Sequence, residues 1–170
     1  EERGGVVLSA TIDKYAYASL EPLPDPVVRV TSLDFGLTRE YPLGRLEADG
    51  ELDLVKGTLN AFLDTEPFPS GLSVLLRSDA PPGSGLGSSS TMVATLVGVL
   101  CEWLRRPLTP YEIAELTYRI ERVDLRIAGG RQDQYAAAFG GFNFIEFHAE
   151  HTVVNPLRLR SATVNELEVS

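Results

Sequence analysis

A short stretch rich in glycine and serine, PPGSGLGSSST at residues 81–91, has the residue types needed to bind phosphate groups. Its three glycines allow backbone conformations that turn successive N–H groups toward one point. The apolar run MVATLVGVLCEWL follows at once, so a helix begins where the loop ends. A helix N-terminus adds free N–H groups and the positive end of its dipole. The stretch therefore predicts a site for a di- or triphosphate that needs no basic side chain.

The common phosphate-binding motifs do not describe this loop. It lacks Gly-Lys-Ser/Thr, so it is not a Walker A loop, and its Gly-x-Gly-x-Gly spacing differs from the dinucleotide fingerprint Gly-x-Gly-x-x-Gly. Taken alone, the loop is equally compatible with a flexible connection between a strand and a helix.

Two carboxylates downstream could supply the remaining chemistry. Glu121 stands at the end of a predicted helix, and Asp133 follows a glycine-bearing loop and opens another helix. One carboxylate near bound phosphates can hold Mg²⁺, and a second can orient or deprotonate an acceptor hydroxyl. Phosphoryl transfer requires those parts and little else. The alternative is that both are solvated charges at helix ends.

The elements that must position these residues follow from hydrophobic periodicity. Alternation of apolar and polar residues from Val6 to Glu21 predicts one long, half-buried strand. Lys14 interrupts the apolar face of this strand, where it either reaches an anionic substrate or lies at the rim of a sheet. The residues on the apolar face are Val6, Leu8, Ala10, Ile12, Ala16, Ala18 and Leu20.

The rest of the chain reads as an alternation of strands and helices. Helices are predicted at about residues 51–64, at 88–105 and, with an N-cap at Thr109, up to about 123. A short helix is predicted in YAAAFGG. Strands are predicted in VVRVTSLDFG, LTREYPLG, LSVLLRSD, FNFIEFHAE and TVVNPLRL. This order predicts an α+β domain with helices gathered on one side of a mainly antiparallel sheet.

Composition excludes several classes of function. The formal charge of −9 argues against nucleic-acid binding, because nucleic-acid modules carry a basic stripe. The uncharged stretch at residues 91–101 is too short to span a membrane, so no membrane partner is expected. The single cysteine, Cys101, excludes a disulfide framework and favours a reducing, cytoplasmic location, with the thiol packed in the core.

Two segments together resemble a known family. PPGSGLGSSS closely resembles the phosphate-binding motif of the GHMP kinases, and the downstream Glu…Gly-x-x-Asp-Gln…Gly-Gly pattern resembles their metal and catalytic segment. The resemblance covers about residues 80–141. GGRQDQYAAAFGGFNFIEF is similar in particular to the bacterial branch that phosphorylates heptose phosphates for cell-surface polysaccharides. The resemblance to the GHMP kinases implies the N-terminal domain fold of that family, a ribosomal-protein-like two-layer β-sheet with helices on one side.

The resemblance also implies a role for each matching residue. Ser89 and Glu121 would bind Mg²⁺, and Asp133 would face the acceptor hydroxyl as a base or an orienting group. Ser90 stands where many relatives have alanine, and Arg131 could help to keep Asp133 ionised. The residues that would cradle the ATP phosphates are Pro82, Gly83, Ser84, Gly85, Leu86, Gly87, Ser88, Ser89 and Ser90.

The resemblance further implies that residues 1–170 form one ATP-binding domain without the first family motif or the C-terminal domain. We therefore expect this chain alone to be inactive. Its expected partners are ATP, a sugar or sugar phosphate, and a second copy or partner chain covering the surface left by the missing domain. The alternatives are a fucokinase or galactokinase, a non-catalytic nucleotide-binding module of the same fold, and a self-associating structural fragment.

Overall fold

The computed structural model describes residues 4–81 and 83–168, which divide into two compact units. Among the described residues, the larger unit comprises 13–81 with 83–138, and the smaller comprises 4–12 with 139–168. In chain order the elements are β1 (Gly5–Ala10), β2 (Ala16–Leu23), β3 (Val27–Ser32), β4 (Leu37–Pro42), α1 (Asp53–Leu63), β5 (Gly71–Ser78), α2 (Ser88–Trp103), α3 (Pro110–Tyr118), a π turn (Arg119–Asp124), α4 (Gln132–Phe139), β6 (Phe142–Phe147), β7 (Thr152–Pro156) and α5 (Ser161–Glu168). The predicted α+β class is confirmed; α5 was not predicted.

The larger unit is built on a four-stranded sheet in the order β2-β5-β3-β4. Only the β3–β5 pair is parallel, so the sheet is mainly antiparallel, as predicted. Alternate residues of β3 and β5, among them Val30 and Val74, are fully buried. This period-two burial is what a sheet with one covered face requires.

Helix α2 lies in the core of the larger unit. Leu96, Val97 and Leu100 are at most 1% exposed, and Met92 packs partly buried against the same cluster. Cys101 is buried among them, as expected, and burial raises the pKa of its thiol. The start of α2 therefore belongs to a helix whose middle is buried in the core of the larger unit.

Helix α3 begins at the predicted capping box. The Thr109 hydroxyl accepts a hydrogen bond from the backbone N–H of Glu112, whose carboxylate accepts one from the backbone N–H of Thr109. The hydrogen bond from the Thr109 backbone holds the pKa of the Glu112 carboxyl below its ordinary value.

The prediction of one long strand from Val6 to Glu21 is wrong. The segment forms two strands in different sheets, because β1 pairs with β6 and β2 pairs with β5. Val6 and Leu8 are 63% and 71% exposed, whereas Ala18 and Leu20 pack against the core of the larger unit. Lys14 is exposed in the break between the strands. Alternation gives the period of a strand but does not tell whether the strand keeps the same partner.

The smaller unit is a three-stranded antiparallel sheet in the order β1-β6-β7. Ile145, Phe147 and Val154 are buried on one face of this sheet. Both final strands match the predicted pair. Across the described residues, no helix is both long and apolar enough to cross a bilayer.

Gly71 at the start of β5 provides a test of the fold. A Cβ added there would lie 1.9 Å from the carbonyl oxygen of Asp25 and 2.6 Å from that of Val27. Both are backbone atoms, so we expect Gly71→Ala to destabilise the protein by about 3 kcal/mol or more. Gly98→Ala in α2 meets no atom within 4 Å and should instead stabilise by up to about 1 kcal/mol. Urea unfolding of both variants checks the prediction, and equal midpoints would contradict it.

Candidate active site

The predicted phosphate loop has the backbone conformation that its glycines allow. Gly83, Gly85 and Gly87 have φ of 76°, 74° and 70°, in the left-handed region that costs other residues about 1–2 kcal/mol each. Residues 83–86 are exposed, whereas Pro82, the first predicted cradle residue, lies outside the described residues. Every second residue of the loop therefore requires glycine.

Helix α2 starts directly after this loop, with Gly87 as its N-cap. In the described structure no side chain caps the first turn, which also contains no acidic residue. Its first backbone N–H groups, from Ser88 to Ser90, lack partners within the helix. A phosphate group can accept hydrogen bonds from these free N–H groups.

Glu121 lies in a segment whose conformation differs from the predicted α-helix. The α-helix ends at Tyr118 rather than near 123, and the next six residues form a π turn. Leu125 N–H donates to the Ile120 carbonyl across five residues, and Ile127 N–H donates to the Glu121 carbonyl. π turns are rare and occur frequently at functional sites.

The Glu121 side chain is fully buried and reaches the start of α2. Its Oε1 accepts a hydrogen bond from Ser89 Oγ at 3.1 Å. Its Oε2 accepts from Ser90 Oγ at 2.7 Å and from Gln134 Nε2. The guanidinium of Arg122 lies 3.7 Å from the same Oε2. The predicted pair of Ser89 and Glu121 is therefore in direct contact although the residues are 32 positions apart.

The Ser89–Glu121 pair fits a Mg²⁺ ion by the chemistry and spacing of its oxygens. Two neighbouring ligands of an octahedral Mg²⁺, each about 2.1 Å from the metal, are about 3.0 Å apart. The hydroxyl and carboxylate oxygens are 3.1 Å apart. The described residues hold no cluster of three or more His, Cys, Asp or Glu side chains that could bind a metal alone. Mg²⁺ bound with nucleotide needs only one or two protein carboxylates, because phosphates and water supply the rest.

Asp133 lies at the same end of α2. It is in the first turn of α4, and a Cβ built on Gly87 would be 3.4 Å from its Cγ and 3.7 Å from its Oδ1. The carboxylate thus stands beside the last glycine of the loop. The guanidinium of Arg131 lies 4.5 Å from the centre of the Tyr118 ring and 3.9 Å from the Glu115 carboxylate.

Three contacts of Glu121 were not predicted from the sequence: those with Gln134, Ser90 and Arg122. Gln134 and Ser90 are 0% exposed and donate to Glu121. The Arg122 guanidinium donates to the carbonyls of Gly130 and Ile127, which joins the π turn to the loop before Asp133. The only signal for Gln134 was its place in the Asp-Gln pair of the motif.

A comparison with models of known protein families also matches this part of the chain. Residues 53–141, more than half of the chain, match the family model described as "GHMP kinases N terminal domain". The chain belongs to the GHMP kinase family. The matched range includes the phosphate loop, Glu121 and Asp133, so the family resemblance of both segments is confirmed.

Similar GHMP kinases include enzymes named for heptose phosphates. The chain is 46% identical to a D-glycero-alpha-D-manno-heptose 7-phosphate kinase from Campylobacter jejuni, over 96% of this chain and 49% of the relative. It superimposes on a D-glycero-D-manno-heptose 1-phosphate kinase from Bacteroides thetaiotaomicron with a TM-score of 0.93 and 44% identity, covering 98% of this chain and 56% of the other.

A more distant GHMP kinase shares the fold. The Lactococcus lactis galactokinase, solved with galactose, gives a TM-score of 0.78 at 25% identity, covering 92% of this chain and 42% of that one. The predicted fold of the N-terminal domain is thereby confirmed. The chain spans about half the length of these GHMP kinases.

Proposed function

We propose that the protein containing this chain is a sugar kinase that transfers the γ-phosphoryl group of ATP to a hydroxyl of a heptose phosphate. The observation that carries the proposal is the convergence of Ser89, Glu121 and Asp133 on the start of α2. The names of two similar proteins support a heptose phosphate as substrate. The acceptor we favour is the anomeric hydroxyl, which is free in a 7-phosphate and blocked in a 1-phosphate.

In this proposal the loop and α2 bind the nucleotide. The backbone N–H groups from Gly83 to Ser90 would hold the phosphates, because the glycine conformations and the uncapped helix start present N–H donors. Pro82 would open the same cradle. A site made of backbone donors and a helix dipole explains how an acidic protein can bind a polyanion.

The Ser89 hydroxyl and the Glu121 carboxylate would hold the Mg²⁺ that accompanies ATP. When bound, this ion would neutralise charge on the phosphate oxygens as the phosphoryl group moves. Burial of Glu121 and its hydrogen bonds fix the direction in which the carboxylate points.

Asp133 would act on the acceptor side. The acceptor oxygen forms a bond to the γ-phosphorus as the bond from that phosphorus to the β–γ bridging oxygen breaks, and ADP leaves with the bridging oxygen. The hydroxyl proton passes to a carboxylate oxygen of Asp133. If Asp133 instead only orients the hydroxyl, the reaction would depend on the positioning of the two substrates and on the charge neutralisation that Mg²⁺ held by Ser89 and Glu121 would supply.

The remaining expectations belong to the same proposal. Residues 1–170 would be the ATP-binding domain, inactive without the other half of the enzyme, and the whole protein would work in carbohydrate metabolism. A second copy or partner chain would cover the surface left by the missing half. A cytoplasmic location is supported by the single, buried, free thiol of Cys101.

An acceptor screen of the full-length protein tests the proposal. With Mg-ATP we expect ADP formation and a new sugar phosphate in the ³¹P NMR spectrum for heptose 7-phosphate, with kcat/KM at least about 100-fold above that for galactose, fucose or heptose 1-phosphate. Preference for a neutral sugar would favour the galactokinase or fucokinase alternative. Tight ATP binding without turnover on any acceptor would identify a non-catalytic nucleotide-binding module.

A further inference from the structure

The two oxygens of the Glu121 carboxylate have unequal surroundings. Oε2 receives hydrogen bonds from the buried Ser90 and Gln134 and faces the guanidinium of Arg122. Oε1 receives a hydrogen bond from the hydroxyl of the exposed residue Ser89. The inner oxygen, Oε2, is therefore held by buried groups, whereas Oε1, although buried, contacts the hydroxyl of an exposed residue at the start of α2.

Gln134 maintains this asymmetry at a cost to stability. Its side chain is 0% exposed, and its Oε1 has no hydrogen-bond partner within residues 4–81 and 83–168. A buried amide oxygen without a hydrogen-bond partner destabilises the folded protein. Reversing the amide would place this oxygen against Glu121 Oε2, so the orientation that donates to Glu121 is fixed. A residue needed only for packing would be more favourable as a methionine or leucine of similar volume.

We propose that Gln134 is a positioning residue that holds Glu121 Oε2 inward and thereby presents Oε1, with the Ser89 hydroxyl, to the divalent cation. This inference rests on the proposed kinase function and its metal site. Gln134 directly follows Asp133, so the same first turn of α4 carries the acceptor-side carboxylate and the group that orients the metal-side carboxylate. The cation site and the acceptor side are thus joined through adjacent residues.

The test is Gln134→Met in the full-length protein, which removes both the donor and the unpartnered oxygen at similar volume. Thr117→Val is the matched control, because Thr117 is also 0% exposed with a hydroxyl that lacks a partner among the described residues, and it lies one turn before Glu121. ADP binding is measured by calorimetry with Mg²⁺ and with EDTA. The ratio of the two dissociation constants reports the metal site without reference to catalysis.

We expect Gln134→Met to reduce the Mg²⁺-dependent tightening of ADP binding by about 10–100-fold, the range found when residues that orient metal ligands are replaced. ADP affinity in EDTA should stay within about twofold, and Thr117→Val should match the wild type in both conditions. Gln134→Asn, which keeps the amide but is one methylene too short, should show the same loss.

Three outcomes would overturn the inference. A wild-type ratio preserved within about twofold in Gln134→Met would show that Gln134 does not position the carboxylate. Equal weakening with Mg²⁺ and with EDTA would assign it a general structural role. Failure of both Gln134 variants to fold, with Thr117→Val intact in thermal unfolding, would do the same. Absence of any Mg²⁺ effect in the wild type is a different result, which refutes the proposed metal site itself.

Discussion

Replacing Asp133 with asparagine is expected to lower kcat of the full-length protein by about 10²–10⁴-fold, the usual range for loss of a general base. Asparagine has nearly the same shape but cannot accept the hydroxyl proton. The affinity for Mg-ATP should change little, because the Asp133 carboxylate would act on the acceptor and not on the nucleotide. Steady-state kinetics with the acceptor found in the screen, together with calorimetric ATP binding, measure both quantities.

Asp25→Asn provides the control for the Asp133 variant, since Asp25 is exposed in the turn before β3. It should leave kcat unchanged. Turnover of Asp133→Asn within about threefold of the wild type would show that Asp133 only orients the acceptor or caps α4.

Replacing Glu121 with glutamine is expected to raise the Mg²⁺ concentration needed for half-maximal activity by more than about 100-fold, beyond the 10–100-fold range for residues that only orient metal ligands. The charge is lost, and an amide nitrogen would face either the Ser89 hydroxyl or the donors around Oε2. A Mg²⁺ titration of ADP formation measures the effect.

The free energy of unfolding, measured beside the Mg²⁺ requirement, distinguishes a metal-binding role of Glu121 from a purely structural one. We expect Glu121→Gln to lower the free energy of unfolding by about 1–3 kcal/mol, because the amide nitrogen would take the acceptor away from either the Ser89 hydroxyl or the buried donors at Oε2. Glu102→Gln, at an exposed position of α2, should change neither stability nor the Mg²⁺ requirement. An unaltered Mg²⁺ requirement in a folded Glu121→Gln would place the cation elsewhere.

The local features of the site could be predicted because their signals lie within a few residues. Alternating glycines require left-handed backbone, an apolar run requires a buried helix, and Thr109 with Glu112 defines a capping box. Each was found where the sequence placed it. The contact between Ser89 and Glu121 could not be derived from spacing and was expected only from the family resemblance.

Other features depend on partners that are distant in the sequence. The alternation from Val6 to Glu21 does not show that β1 and β2 join different sheets, since both halves keep the same period. The π turn lacks a local sequence signal, because its residues would also suit an α-helix. Leu125, which directly follows the turn, packs closely against Gly57 of α1: a Cβ added at Gly57 would lie 2.9 Å from Leu125 Cδ1. Gln134 gains its importance only from the carboxylate that it contacts.

A crystal structure of the full-length protein with Mg²⁺ and a non-hydrolysable ATP analogue is the decisive test of the proposed nucleotide and cation sites. It should show the cation about 2.1 Å from Ser89 Oγ and Glu121 Oε1. The β- and γ-phosphates should accept hydrogen bonds from backbone N–H groups of residues 83–90, with the Asp133 carboxylate on the open side of the γ-phosphate. A nucleotide bound away from the start of α2, or a cation that contacts neither Ser89 nor Glu121, would contradict the proposal.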